Sequence, residues 1–188
     1  MQARAPLMIE HRLIEKMLAL IERKLVLVEE TGKIDPFFVD IAVDFIRSYA
    51  DRTHHGKEED ILFSSLERKP LKPEHRRIMN ELIEEHIYGR GLTAALEKAN
   101  TRYRNGDEKA LAEVIMALSS LTGFYPKHID KEDRIFFPAV REYYSDEEDQ
   151  ALLREFWEFD RKMIHEMYRK IVEKQEAGIL MERSRGQE

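Results

Sequence analysis

The sequence predicts an all-α protein, an up-down-up-down four-helix bundle with an additional C-terminal fifth helix. Three observations carry this. Apolar residues recur at alternating steps of three and four along several long segments. No segment alternates apolar and polar residues in the manner of a strand. The links between segments are short and rich in helix-ending and helix-starting residues, which favours antiparallel neighbours.

The first helix is expected over about residues 6 to 30, with Leu7, His11, Ile14, Leu18, Ile21, Leu25 and Val28 as its inward stripe. Gly32 follows its last turn, where a left-handed backbone terminates a helix. Asp35-Pro36 is an N-cap followed by a first-turn proline. The second helix places Val39, Val43, Ile46, Ala50, His54, Glu58 and Ile61 on one face and stops before Pro70. Pro73-Glu74 opens a third, with Ile78, Leu82, His86, Gly89, Leu92, Leu96 and Tyr103 inward, and Asn105-Gly106-Asp107 is a turn by composition.

The fourth helix turns Leu111, Val114, Leu118, Leu121, Tyr125, His128, Glu132, Ile135 and Ala139 inward, with a kink expected at Pro126. Ser145-Asp146-Glu147-Glu148 is a capping box that starts a fifth helix over about 146–176. One domain is expected over 1–176, its bundle spanning about 6–143, followed by a polar tail at 177–188.

Composition narrows the function. The net charge of −6 argues against nucleic acid or an anionic membrane as partner. No run of about 18 apolar residues exists, and Met1–Met8 lacks the apolar core of a signal peptide, so a cytoplasmic location is the default. The absence of cysteine excludes disulfides, thiolate zinc sites and cysteine nucleophiles.

The chemistry lies in an internal repeat. His54-His55-Gly56-Lys57-Glu58-Glu59-Asp60-Ile61-Leu62-Phe63 returns as His128-Ile129-Asp130-Lys131-Glu132-Asp133-Arg134-Ile135-Phe136-Phe137. Each copy puts an imidazole and a carboxylate four residues apart, on one face of a helix. Counted from the end where the first helix meets the second, His11, His54, His86 and His128 all fall about 17 to 20 residues along their helices. At about 1.5 Å per residue they lie within roughly 5 Å of one level.

Four core histidines with two glutamates, buried without a metal, would cost several kcal/mol of desolvation. The candidate metal ligands are therefore His11, His54, Glu58, His86, His128 and Glu132. Such ligands suit iron, manganese or zinc. Six are too many for one four-coordinate zinc and enough for two ions bridged by the two glutamates. His55 competes with His54, but the repeat and the Val39–Ala50 stripe favour His54, leaving His55 beside the site or facing solvent. Glu10 and Glu85 are expected to be salt-bridging surface residues.

His11, the His54–Glu58 pair, His86 and the His128–Glu132 pair, in this order on four helices, resemble the hemerythrin-like (HHE cation-binding) family. Glu85-His86-Ile87-Tyr88-Gly89-Arg90 and the His54-to-Glu59 run resemble motifs of its prokaryotic members. The resemblance spans about residues 7–143. It implies a non-haem di-iron centre, oxo- or hydroxo-bridged, with Glu58 and Glu132 as bridges and the four histidines as terminal ligands; zinc or manganese would also fit.

It also implies a small gaseous ligand or oxidant (O2, NO or peroxide), and a signalling partner protein if the chain is a sensor. Classical oxygen carriers of the family have a fifth histidine one turn before the third-helix ligand, and here that position is Leu82. Water, Glu59, His55 or His165 are candidates to fill the vacancy. Binding or sensing of the ligand is the favoured reading, since no dedicated acid or nucleophile accompanies the metals. A redox enzyme consuming peroxide or O2, and iron or cation storage, are the alternatives.

Overall fold

The computed structural model describes residues 2–163. Helix α1 spans Arg4–Thr31, and its C-cap Gly32 takes φ 66°, its N–H donating to the Val28 carbonyl. That conformation favours glycine, so the first boundary falls where expected. Helix α2 begins as Pro36–Phe45, with the Asp35 carboxylate accepting the Phe37 N–H. It runs on through π-helical stretches at Ile46–His55 and Glu58–Phe63 and ends with Ser64–Glu67. Helix α3 spans Pro73–Arg104.

Helix α4 spans Ala110–Lys131, passes uninterrupted through Pro126, and continues as a π-turn at Glu132–Phe136, an α-turn at Phe137–Val140 and a 3-10 turn at Arg141–Tyr143. Helix α5 occupies 146–163 of the described residues. Its capping box forms as expected: Ser145 N–H donates to Glu148 Oε2 at 3.0 Å, and Glu148 N–H donates to Ser145 Oγ at 3.2 Å. The end of α5, His165 and the polar tail lie outside the described residues. Among those described there is no strand, and no helix is long and apolar enough to cross a membrane.

Helix α4 packs along α3 and α1, and α2 packs along α3. The buried apolar side chains form two clusters. One holds Ile14, Leu18, Ile21, Val39, Ile46, Ala50, Leu96, Leu118, Leu121, Tyr125 and Ile129. The other holds Leu7, Leu62, Leu66, Leu82, Phe136, Phe137 and Val140, joined by Leu152 and Phe156 of α5. On every bundle helix a histidine stands between the two clusters, so one polar layer divides an otherwise apolar core.

The π-turns explain how the helices hold that layer. Buried residues on α2 fall at Ile46, Ala50, His54, Glu58 and Leu62, in unbroken steps of four. Four residues carry an α-helix about 40° past a full turn. Four such steps would swing the stripe by about 160° and carry Leu62 away from the core. Wider turns absorb the excess: Gly56 N–H reaches Asp51 O and Ser64 N–H reaches Glu59 O, each five residues back. On α4 Phe137 N–H likewise reaches Glu132 O.

The same turn corrects one expectation. Ile135, expected inward, is exposed, while Phe136 and Val140 are buried, because the wider turn at Glu132 shifts the inward register by one residue.

Candidate metal centre

The layer between the two clusters contains seven residues of consequence: His11 from α1, His54, His55 and Glu58 from α2, His86 from α3, and His128 and Glu132 from α4. None is more than 2% exposed. All six sequence-derived ligands come together. His11, His54, Glu58 and Glu132 offer ligand atoms all within 4.8 Å of one another, and His55, His86 and His128 do the same in a second group. The groups adjoin, since His86 Nε2 lies 3.4 Å from Glu58 and 3.7 Å from Glu132. His11 Nε2 lies 3.1 Å and His128 Nε2 3.3 Å from Glu132.

His55, expected beside the site or facing solvent and named among the candidates for the vacancy at Leu82, lies inside the layer. It is buried, its ring stacks on that of His86 at 3.9 Å between centroids, and it stands in the second group beside His54 rather than instead of it. In a regular α-helix neighbours point about 100° apart; the π-stretch ending at His55 is what lets both face the interior. Leu82, at the place of the missing fifth histidine, is wholly buried in the apolar cluster. The third imidazole of that group comes from α2 instead of α3.

Four of the five imidazoles have their other nitrogen engaged by a carboxylate. His11 Nδ1 meets Asp133 at 2.8 Å, His54 Nδ1 meets Glu10 at 2.9 Å, His86 Nδ1 meets Glu59 at 2.6 Å and His128 Nδ1 meets Glu85 at 2.9 Å. His55 Nδ1 lies 3.4 Å from Asp51. A carboxylate accepting from Nδ1 fixes the tautomer that leaves Nε2 free to bind a metal, and raises its basicity.

Glu10 and Glu85, expected as salt-bridging surface residues, do form salt bridges, but each also holds a histidine of the layer, with Glu10 nearly buried and Glu85 keeping 27% side-chain exposure. Helices α2 and α4 present the neighbouring His to them, and Lys57 and Lys131 secure their other oxygens. The arrangement follows the internal repeat: Glu10, His54 and Lys57 in one half correspond to Glu85, His128 and Lys131 in the other, and Asp133 on His11 corresponds to Glu59 on His86.

Electrostatics tie the layer together. Burial alone would raise the Glu132 carboxyl, but His128, His11 and His86 together hold it well below the usual range. Burial alone would lower His11, yet Asp133 and Glu132 push it up to about 10. His86 is likewise raised against burial by Glu132, Glu58 and Glu59. His55 goes the other way: burial, then repulsion from His86, His54 and His128, keep it neutral.

The donor set fits metal ions. Among the described residues, the Nε2 atoms of His11, His54, His55, His86 and His128 and both oxygens of Glu58 and Glu132 are buried without a hydrogen-bond partner of acceptable geometry. Each orphaned group costs about 1–3 kcal/mol, so the cluster together would cost on the order of 10 kcal/mol. Five neutral-capable nitrogens and four carboxylate oxygens converging on one spot form a donor set suited to metal ions.

His75 stands apart, its Nδ1 on the Tyr143 hydroxyl at 2.8 Å. Tyr125 is a buried phenol beside the layer, its ring 6.2 Å from and nearly parallel to that of His55. Of the glycines near the layer, Gly56 and Gly89 mark close approaches, of Phe159 and of Phe124 and Tyr125, whereas Gly91 and Gly123 face open space.

A family model described as hemerythrin HHE cation binding domain matches residues 4–140 and, in an overlapping second match, 77–183. No curated protein matches the chain significantly. No solved structure does either.

Proposed function

The chain belongs to the hemerythrin HHE cation-binding family, and on that premise we propose that it is a non-haem di-iron protein that binds or senses O2, NO or a related oxidant within an up-down-up-down bundle. The observation that carries this reading is the convergence of unpartnered Nε2 and carboxylate atoms in a layer sealed from solvent. His11 and His54 would hold one ion, and His55, His86 and His128 the other. Glu58 and Glu132, each reaching both groups of imidazoles, would bridge them.

Iron at these positions would supply open coordination sites and one-electron redox chemistry. The chain's own residues do the rest. Asp133, Glu10, Glu59 and Glu85 hold the proton on Nδ1 of their histidines and fix ring orientation. The apolar clusters on either side exclude bulk water and keep the local dielectric low. Two imidazoles in one half against three in the other leave more open positions on the side of His11 and His54. A cytoplasmic setting accords with this reading.

One observation favours a second reading, a redox enzyme consuming peroxide or O2. Tyr125 is a buried phenol that none of the binding roles uses. Loading with Fe(II) without oxygen and then admitting O2, NO or peroxide separates the possibilities. Stable complexes at about two irons per chain support binding or sensing. Sustained turnover of peroxide would replace it with the enzyme, and far more than two irons per chain with storage.

A further inference from the structure

The two repeat-related halves of the centre differ in what holds their outer carboxylate. In the half built on His54, Lys57 is wholly buried, and its Nζ pairs with Glu10 and, at 2.7 Å, with Asp160 of α5. Glu10 in turn accepts from His54. In the half built on His128, the corresponding Lys131 pairs with Glu85 at 2.5 Å and Glu81 at 3.7 Å, both on α3, and keeps 27% side-chain exposure. So the first half's lysine is shared with α5, and the second half's lies within the bundle.

A second contact marks the same place. A Cβ on Gly56 would lie 2.8 Å from Phe159 Cζ, so the Phe159 ring of α5 rests against the turn that carries His54 and His55. Leu152 and Phe156, two turns and one turn earlier on α5, anchor it in the apolar cluster below.

We propose that Lys57 and Asp160 are positioning residues for His54, so that the docking of α5 and the ligand geometry of the half formed by His11 and His54 are one mechanical unit. This rests on the metal-binding reading above. Glu10 is shared between His54 and Lys57. Asp160 supplies the second negative charge that a buried ammonium needs. Without it Lys57 claims more of Glu10, and His54 Nδ1 loses the acceptor that fixes its tautomer. The half affected has only two imidazoles, so it is the one least able to tolerate a turned ring. By linkage, an ion that steadies His54 also steadies α5.

The test uses the full chain titrated with Co(II). Metal per chain and visible d–d absorption report the centre, and hydrogen exchange of 146–163 reports α5. In the wild type two Co(II) bind and exchange in α5 slows. Asp160→Asn weakens one of the two ions by about tenfold, leaves the other unchanged and abolishes the slowing. Lys57→Arg, which keeps the charge, stays closer to wild type than Lys57→Met.

Lys131→Met disturbs the other half without changing exchange in α5. Two Co(II) bound with unchanged affinities and spectrum in both Asp160→Asn and Lys57→Met would overturn the proposal alone. A wild type that binds no Co(II) would overturn the metal reading and this with it.

Discussion

Replacing His55 by leucine should move the metal-free and metal-loaded proteins in opposite directions. In the metal-free protein both ring nitrogens of His55 are buried without a hydrogen-bond partner, and burial with three neighbouring imidazoles keeps the ring neutral. An orphaned polar group costs about 1–3 kcal/mol, and leucine is near enough in volume to fill the place between His86 and Tyr125. A gain of about 2 kcal/mol is expected, which at this chain length raises the metal-free Tm by roughly 4–8 °C.

With metal the sign reverses. A lost nitrogen ligand that weakens one ion about 100-fold removes about 2.7 kcal/mol of ligand-derived stabilisation at fixed metal concentration. Thermal unfolding with and without metal, read beside metal content per chain, checks both signs at once. If His55→Leu lowers the metal-free Tm as much as the loaded one, His55 is a packing residue and the two-group arrangement is wrong.

Glu58→Gln and Glu132→Gln should each cut metal content from about two to one or fewer per chain while leaving the helix content by circular dichroism intact, because each carboxylate reaches both groups. Metal uptake should release protons and weaken as pH falls: His11, ordinarily near 6.5, is pushed up to about 10 without metal, so it carries a proton at neutral pH that binding must expel. The same raised value stabilises the metal-free fold fully below about 6.5 and less as pH rises through about 10; dye-monitored proton release and melts across pH 6–10 test both. Gly91→Ala, facing open space within a helix, should add about 1 kcal/mol. Gly56→Ala, meeting Phe159, should cost about 1–3 kcal/mol, a contrast that denaturant titration resolves.

The helices and the ligand layer were legible because both rest on local spacing. Gly32, Asp35-Pro36 and Ser145-Glu148 punctuate the chain as written, and His-x-x-x-Glu repeated on apolar stripes puts the six candidate ligands at one level. What was not legible is the consequence of wider turns. His55 and Ile135 were placed by the internal repeat and the apolar stripes of a regular helix, and both stand in π-turns; Glu10 and Glu85 face the histidines that those segments carry. A signal was present: Ile46, Ala50, His54, Glu58 and Leu62 keep a strict step of four that a regular helix cannot hold on one face. The contact of Asp160 with Lys57 joins residues a hundred positions apart, and no local spacing announces it.

The most direct test is a crystal structure of the iron-loaded protein with anomalous scattering recorded at the iron edge. Two peaks between Glu58 and Glu132, one beside His11 and His54 and the other beside His55, His86 and His128, are the expected result. A single peak, or one bound by His54 with His55 turned away, would contradict the two-ion centre.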